Sequence, residues 1–183
     1  MANYHITDDT KDRLFLLIEE RLPWLVLGLI GGIIVTVLVS KFETILSKNI
    51  SLAFFLPVIV YMSDAIGTQT ENIYVRNLSK FRDNFFSYLL KELMLGLTFG
   101  TIFALLLGLF AKVWIGSTSV AITVAIAMFC NGVIAPVVSL IVPELLFKEH
   151  EDPALGAGPF TTILQNLISL SVYLLVASII ILG

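Results

Sequence analysis

Long apolar segments constrain this chain more than any other feature. Residues 22–40 (LPWLVLGLIGGIIVTVLVS) contain no charged side chain, and as a helix they nearly cross a hydrocarbon core of roughly 30 Å. Three later segments, at about 89–111, 119–143 and 159–182, are also long enough to cross. The composition agrees, because 57% of the 183 residues are hydrophobic and the mean hydropathy is +0.95. The sequence therefore predicts at least four membrane-spanning helices.

A fifth span depends on a polar stretch, residues 63–76 (SDAIGTQTENIYVR). Residues 49–63 are uncharged, but they are too short to cross unless the helix continues through Asp64 toward Glu71. An ionisable side chain inside a bilayer costs about 2.5–3.5 kcal/mol on the gentlest insertion scale, so it normally faces protein or a water-filled path. The predicted second span therefore carries polar side chains inside the membrane.

Basic residues set the predicted orientation. With the N-terminus in the cytoplasm, eight Lys and Arg lie on the cytoplasmic side and three lie outside, as the positive-inside rule favours. Residues 1–20 contain apolar residues at helical spacing, which predict a short interfacial helix that anchors the chain; a gate or plug is the alternative. The predicted fold class is an all-α, multi-pass cell-membrane protein, with five transmembrane helices in residues 21–183 and the C-terminus outside.

The polar residues exclude several classes of function. A formal charge of -3 without a large basic patch argues against nucleic acid as a partner. One cysteine excludes an internal disulfide, and the two histidines fall in polar segments. The sequence contains no Ser-His-Asp set, HExxH motif or nucleotide-binding loop. We therefore expect neither enzyme activity nor a cofactor.

Two helix faces carry the candidate site residues. Asp64, Thr68 and Glu71 share one face of the second span and give a column of oxygen atoms about 10 Å long, which suits a hard cation. The alternatives are that Glu71 pairs with Arg76 or another basic group and that Asp64 lies nearer the outer half of the membrane. On the last span, one face carries Thr162, Asn166, Ser169 and Tyr173. This second face either lines a route or holds helices together.

Small residues and an acidic loop complete the pattern. Gly96, Gly100, Ala104 and Gly108 recur every four residues on the third span, and Gly28 and Gly32 do so on the first. We interpret both ridges as helix packing surfaces. The loop before the last span includes Asp152 among several acids. It either recruits cations at a pore mouth or is simply solvated.

Four segments in order resemble the membrane domain of the MgtE family of magnesium channels and transporters: RLPWLVLGLIGG, LPVIVYMSDAIGTQTENIYVR, KELMLGLTFG and DPALGAGPFTTILQNLIS. The resemblance runs from about Arg21 to the C-terminus. It implies a homodimer whose second and fifth helices line a central path, with Mg2+ as the transported ion. Under this resemblance the path is lined by Asp64, Thr68, Glu71, Thr162, Asn166 and Ser169, with Asp152 near its cytoplasmic mouth.

Two departures from the family bear on the ion. Before its G-[TN]-Q motif the family has glycine, glycine and asparagine, whereas this chain has Ser63, Asp64 and Ala65. Fourteen residues after Asp152, where the family places an aspartate that holds hydrated magnesium, this chain has Asn166. One compensation is that Asp64 supplies the missing charge while Asn166 offers an amide oxygen. The changed charge is then expected to weaken or alter selectivity.

Three hypotheses about function stay open. The first is a homodimeric Mg2+ channel or transporter. The second is a non-conducting membrane scaffold or regulatory subunit, and the third is a transporter of Mn2+, Co2+, Ca2+ or a monovalent cation. Family members carry cytoplasmic N-terminal and CBS domains that sense magnesium, whereas only about twenty residues precede the first span here. We therefore expect a minimal pore or a separate regulatory partner.

Overall fold

The computed structural model describes residues 13–78, 85–149 and 153–182, without the side chains of residues 20 and 153–156. This part of the chain is helical throughout its regular structure. Its elements are α1 (Leu14–Ser40), α2 (Glu43–Lys48), a 3₁₀ helix (Ile50–Phe55), α3 (Leu56–Leu78), α4 (Phe85–Ile115), α5 (Thr118–Lys148) and α6 (Pro153–Leu182). Five segments are long and apolar enough to cross a membrane. The prediction of an all-α protein with five spans is confirmed.

The second span continues through its polar stretch as predicted. The Asn49 side chain accepts a hydrogen bond from Ser51 N at 3.2 Å and caps the 3₁₀ helix. Pro57 lies in the first turn of α3, where its missing N–H costs no helical hydrogen bond. The helix then runs unbroken through Asp64 and Glu71, both within the spanning segment Ile50–Leu78.

A tight turn joins the third and fourth spans. Gly116 has a φ of 79°, in the left-handed region that favours glycine. Ser117 then caps α5, because its side chain accepts a hydrogen bond from Val120 N. The Lys112 side chain donates to Gly116 O at 3.1 Å. These contacts place α4 and α5 side by side along most of their length.

The fourth span, α5, lies at the centre of the bundle and packs against α3, α4 and α6. Half of its most apolar window is buried, against 6% for the corresponding window of α1. The first helix packs against α6 and exposes large apolar side chains such as Leu25, Leu29 and Ile33. A helix that is apolar on all sides and mostly exposed within its protomer is typical of a lipid-facing span.

Glycine builds the contact between α4 and α5. A Cβ atom at Gly132 would lie 2.5 Å from Gly100 Cα, and one at Gly96 would lie 2.8 Å from Gly132 O. These neighbours are backbone atoms, so any larger residue would force the helices apart. The predicted packing role of the glycine ridge on the third span is therefore confirmed.

The predicted ridge on the first span behaves differently. Nothing lies within 4 Å of a Cβ atom built at Gly28 or Gly32, so the prediction that they pack against a helix is wrong within one protomer. The packed glycine of α1 is Gly31, where a Cβ atom would lie 2.5 Å from Ile163 Cγ2 of α6. The sequence spacing identified the correct turn of the helix but the wrong side of it.

The separate interfacial helix stays a prediction. Residues 1–12 lie outside the described residues, and the segment from Leu14 to Arg21 is continuous with the first span in α1. The predicted boundary at residue 20 therefore falls inside a helix. The orientation of the two termini relative to the cytoplasm also stays a prediction.

Candidate functional site

Asp64 on α3 and Thr162 on α6 meet at a groove on the surface of the protomer. The Thr162 hydroxyl donates to Asp64 Oδ1 at 3.4 Å, which is a long and weak hydrogen bond. Asn166, one turn further along α6, lines the same groove, whose volume is about 500 Å³. The rest of the lining is mainly apolar and consists of Val39, Leu56, Pro57, Val60, Tyr61 and Leu170. A few polar groups that converge in an apolar groove are typical of a ligand site.

A second groove lies on the α1 side of α6. Its volume is about 490 Å³, and Gly28 and Gly32 form part of its lining. Thr162 and Asn166 line this groove as well. The two side chains therefore stand where the grooves meet, and the open glycine face of α1 leaves space beside them.

The outward side of α3 is polar. Thr68, Gln69 and Asn72 are exposed in the protomer, although they lie within a membrane-spanning segment. Polar groups that face hydrocarbon cannot exchange hydrogen bonds with solvent, so such an arrangement is costly. This face requires another protein surface or water beside it. The predicted site residue Thr68 belongs to this face and does not line the groove.

The predicted site residue Ser169 lies in a buried seam between helices rather than in the groove. Its side chain is 1% exposed and donates to Ser63 Oγ of α3 at 2.7 Å. Tyr173 is also buried and donates to Leu52 O at 2.7 Å. The polar face predicted on the last span is therefore divided. Its N-terminal half, with Thr162 and Asn166, reaches the groove, whereas its C-terminal half, with Ser169 and Tyr173, holds α6 to its neighbours.

Gln165 is a structural contributor to the site that sequence reasoning missed. Its Nε2 atom donates to Ala135 O at 2.9 Å and to Ser139 Oγ at 3.0 Å, both on α5. Gly67 of α3 approaches so closely that a Cβ atom there would collide with this Nε2 atom. Because Gln165 precedes Asn166 in the chain, these contacts hold the turn of α6 that carries Asn166 against α5. The available signal was its spacing of four from Ser169 on the same helix face.

Glu71 is buried and lies apart from the groove lining. Its side chain is 8% exposed, and a Cβ atom built at Gly158 of α6 would lie 3.8 Å from Glu71 Oε1. Among the described residues, the ion pair at this end of the bundle is Glu144–Lys148, at 3.0 Å. The alternative in which Glu71 pairs with Arg76 or another basic group stays a prediction. The remaining predicted residue, Asp152, lies outside the described residues.

Two further acids tie α3 to its neighbours at the same end. Thr70 donates to Glu92 Oε2 of α4 at 2.8 Å, and Tyr74 donates to Glu144 Oε2 of α5 at 2.7 Å. Across the described ranges, no three His, Cys, Asp or Glu side chains come together in a group that could hold a metal ion. The groove therefore offers one carboxylate, one amide and the hydroxyls of Thr162 and Tyr61.

Comparison with known proteins covers nearly the whole chain. Residues 56–176 match the family model MgtE, described as a divalent cation transporter. The chain is 32% identical to the magnesium transporter MgtE of Bacillus subtilis over 94% of this chain and 39% of that protein. It is 31% identical to the protein of the same name from Enterococcus faecalis, over 87% of this chain and 36% of the relative. It is 31% identical to the magnesium transporter MgtE of Thermus thermophilus, over 86% of this chain and 35% of the relative.

The chain thus spans less than two fifths of the length of these curated relatives. The matched region, however, includes all of α3, α4 and α5 and most of α6, with Asp64, Thr162 and Asn166. The five candidate spans make the protein a multi-pass membrane protein. Because the family model covers more than half of its residues, this chain belongs to the MgtE family.

Proposed function

We propose that this protein transports a divalent metal cation, with Mg2+ as the first candidate, along a path at the interface of a homodimer. The observation that carries the proposal is the convergence of Asp64, Thr162 and Asn166 at a groove on the protomer surface. A second copy placed over this groove would convert it into an enclosed path. The polar outward face of α3 supports the same arrangement, because a partner and a water-filled path would satisfy its side chains.

The composition of the groove suits a hydrated ion. Mg2+ loses its water reluctantly and is commonly held through several retained waters and one or two carboxylates. Asp64 supplies the negative charge, and two copies of it would face the path in a dimer. The Asn166 amide oxygen and the Thr162 hydroxyl orient the water shell. A site of this kind needs no cluster of three protein carboxylates, in agreement with the side chains present.

The names of the relatives support magnesium as the ion, since each is called a magnesium transporter. The resemblance places an aspartate where this chain has Asn166, so the charge in this protein is proposed to have moved to Asp64 on the neighbouring helix. The groove is consistent with such a move because both residues line it. We expect a selectivity for Mg2+ over other divalent ions that differs from that of relatives with the aspartate.

Cation flux into proteoliposomes tests the proposal. The full chain is reconstituted with a Mg2+-sensitive dye inside the vesicles, and Asp64→Asn removes the charge while keeping the size of the side chain. We expect uptake to fall about tenfold or more, because a charge-assisted contact is worth about 1.5–3 kcal/mol. The matched control is Glu43→Gln, which removes an exposed acid from α2 and leaves uptake unchanged. Unaltered uptake in both Asp64→Asn and Asn166→Ala would refute the site.

The same assay separates the alternatives. A non-conducting scaffold or regulatory subunit predicts no flux from the purified wild-type chain with any cation, together with co-purification of a partner. A transporter for another ion predicts that Mn2+, Co2+, Ca2+ or a monovalent cation is taken up in preference to Mg2+. Competition between ions in one vesicle preparation measures this preference directly.

A further inference from the structure

We infer that Glu71 and Thr161 form a second, inner position for a hard divalent cation, inside the protomer and about 10 Å from Asp64 along α3. The inference rests on the proposed function, because it adds a second ion-binding position beside the same path. It concerns residues that the groove does not include. The outer position is defined by Asp64, Thr162 and Asn166, and the inner position by the next pair of facing side chains along the two helices.

Burial of Glu71 is the first observation. Its side chain is 8% exposed and lies in a membrane-spanning segment. A carboxylate in such surroundings is stable when a cation neutralises it or when hydrogen-bond donors surround it. The ion pair at this end of the bundle, Glu144–Lys148, does not include Glu71. A cation held beside the carboxylate would neutralise this charge.

The second observation comes from α6. Thr161 is 3% exposed, and its hydroxyl oxygen has no hydrogen-bond partner. Thr161 follows Gly158 by three residues, about one turn of α6, and so lies on the side of the helix that approaches Glu71 Oε1. A buried oxygen without a partner, placed beside a buried carboxylate, is a ready second ligand for a cation. At Gly158, where even a Cβ atom would be 3.8 Å from Glu71 Oε1, the absence of a side chain leaves room.

The two positions follow one another along the same pair of helices. Asp64 contacts Thr162, and Glu71 lies beside the turn of α6 that carries Gly158 and Thr161. Seven residues of helix place the two acids about 10 Å apart along α3, a distance at which charges still interact in a low-dielectric interior. An ion that enters the outer position would therefore repel one held at the inner position. Such repulsion between neighbouring sites lets an ion bind firmly and still leave.

Glu92 shows that burial alone does not make a cation position. It has the same 8% exposure as Glu71 and belongs to α4. The hydroxyl of Thr70 donates to its carboxylate at 2.8 Å, so this acid already has a donor. Glu92→Gln keeps an acceptor for Thr70 and is therefore a matched control for Glu71→Gln.

Equilibrium dialysis of the purified full chain against Mg2+ tests the inference. We expect three ions per dimer in the wild type, one in the shared path and one inside each protomer, and therefore two in Asp64→Asn, one in Glu71→Gln and none in the double variant. Glu92→Gln should retain three. Thr161→Val, which keeps the size of the side chain, should weaken the inner position about tenfold. Elution as a single species in size-exclusion chromatography checks that each variant is folded, and Glu71→Asp, which keeps the charge, should retain the ion.

Two results would overturn the inference. If Glu71→Gln binds as many Mg2+ ions as the wild type, the carboxylate does not hold the metal and a bound proton neutralises it. If Glu71→Gln leaves the Asp64→Asn protein with its inner ions, the remaining position lies elsewhere. Either result leaves the proposed function standing as long as Asp64→Asn abolishes flux. The proposed function fails separately, when flux survives the loss of Asp64 and Asn166.

Discussion

Two helix contacts in this bundle are formed by different types of residue. Between α4 and α5, glycine backbones touch, and a Cβ atom at Gly132 would lie 2.5 Å from Gly100 Cα. Between α3 and α6, polar side chains meet: Ser169 donates to Ser63, and Thr162 donates to Asp64. The first contact leaves no space for a side chain. The difference indicates that the glycine contact is a rigid frame, whereas the polar contact carries the side chains that are candidates for binding the ion.

The largest expected effect comes from a substitution that disrupts the glycine contact between α4 and α5. Gly132→Ala places a Cβ atom 2.5 Å from Gly100 Cα and 2.9 Å from Gly100 N, and backbone atoms cannot move aside without separating the helices. We expect the free energy of unfolding to fall by about 3 kcal/mol, measured by thermal denaturation in detergent with circular dichroism. Gly28→Ala, with nothing within 4 Å of the new methyl, should leave the melting temperature unchanged or raise it. Equal melting of both variants would contradict the account.

Gly67→Ala tests the polar contact in the same way and should cost less. The new methyl would meet the ends of two side chains, Gln165 Nε2 and Ser139 Oγ, which can rotate away at the expense of their hydrogen bonds. We expect a loss of about 1–2 kcal/mol in the same denaturation experiment. Uptake of Mg2+ should fall as well, because Gln165 holds the turn of α6 that carries Asn166. A loss as large as that of Gly132→Ala would remove the distinction between the two contacts.

Much of this architecture could be predicted from the sequence because it follows from one-dimensional patterns. The five spans follow from apolar length, and the unbroken course of α3 through Asp64 follows because a shorter helix would not cross the membrane. The glycine ridge on α4 follows from a spacing of four. Each of these features depends on residues of a single segment.

Other features depend on which neighbour a helix side faces, and this is not encoded in spacing. Thr162 and Ser169 belong to one predicted face, yet Thr162 lines the groove whereas Ser169 is buried against α3. The empty face at Gly28 and the interhelical role of Gln165 were missed for the same reason. A polar side chain on a membrane helix can line a path or bind the next helix, and only the packing decides between them.

Tyr173→Phe should have a modest effect on stability and none on ion selectivity. It removes the hydroxyl that donates to Leu52 O at 2.7 Å and leaves that buried carbonyl without this donor. We expect a loss of about 1 kcal/mol in the free energy of unfolding. The relative uptake of Mg2+ and Ca2+ in proteoliposomes should equal that of the wild type. An altered uptake ratio would mean that the C-terminal half of the polar face of α6 also contributes to ion selectivity.

The smallest effect is expected at the long hydrogen bond of the groove. Thr162→Val removes a donor that lies 3.4 Å from Asp64 Oδ1, a distance at which the bond is weak. We expect Mg2+ uptake to fall about twofold and the melting temperature to stay the same. A loss of uptake comparable to that of Asp64→Asn would show that the hydroxyl contacts the ion itself rather than orienting its water.

Moving the charge from one helix to the other tests the central claim most directly. The claim is that a single carboxylate in the α3–α6 groove, at Asp64, attracts the cation that Asn166 helps to orient. Mg2+ uptake is compared in Asp64→Asn and in the double variant Asp64→Asn with Asn166→Asp, which restores one carboxylate to the same groove. The account predicts that uptake is lost in the single variant and largely recovered in the double variant. Uptake that is unchanged by Asp64→Asn, or equally absent from both variants, would contradict it.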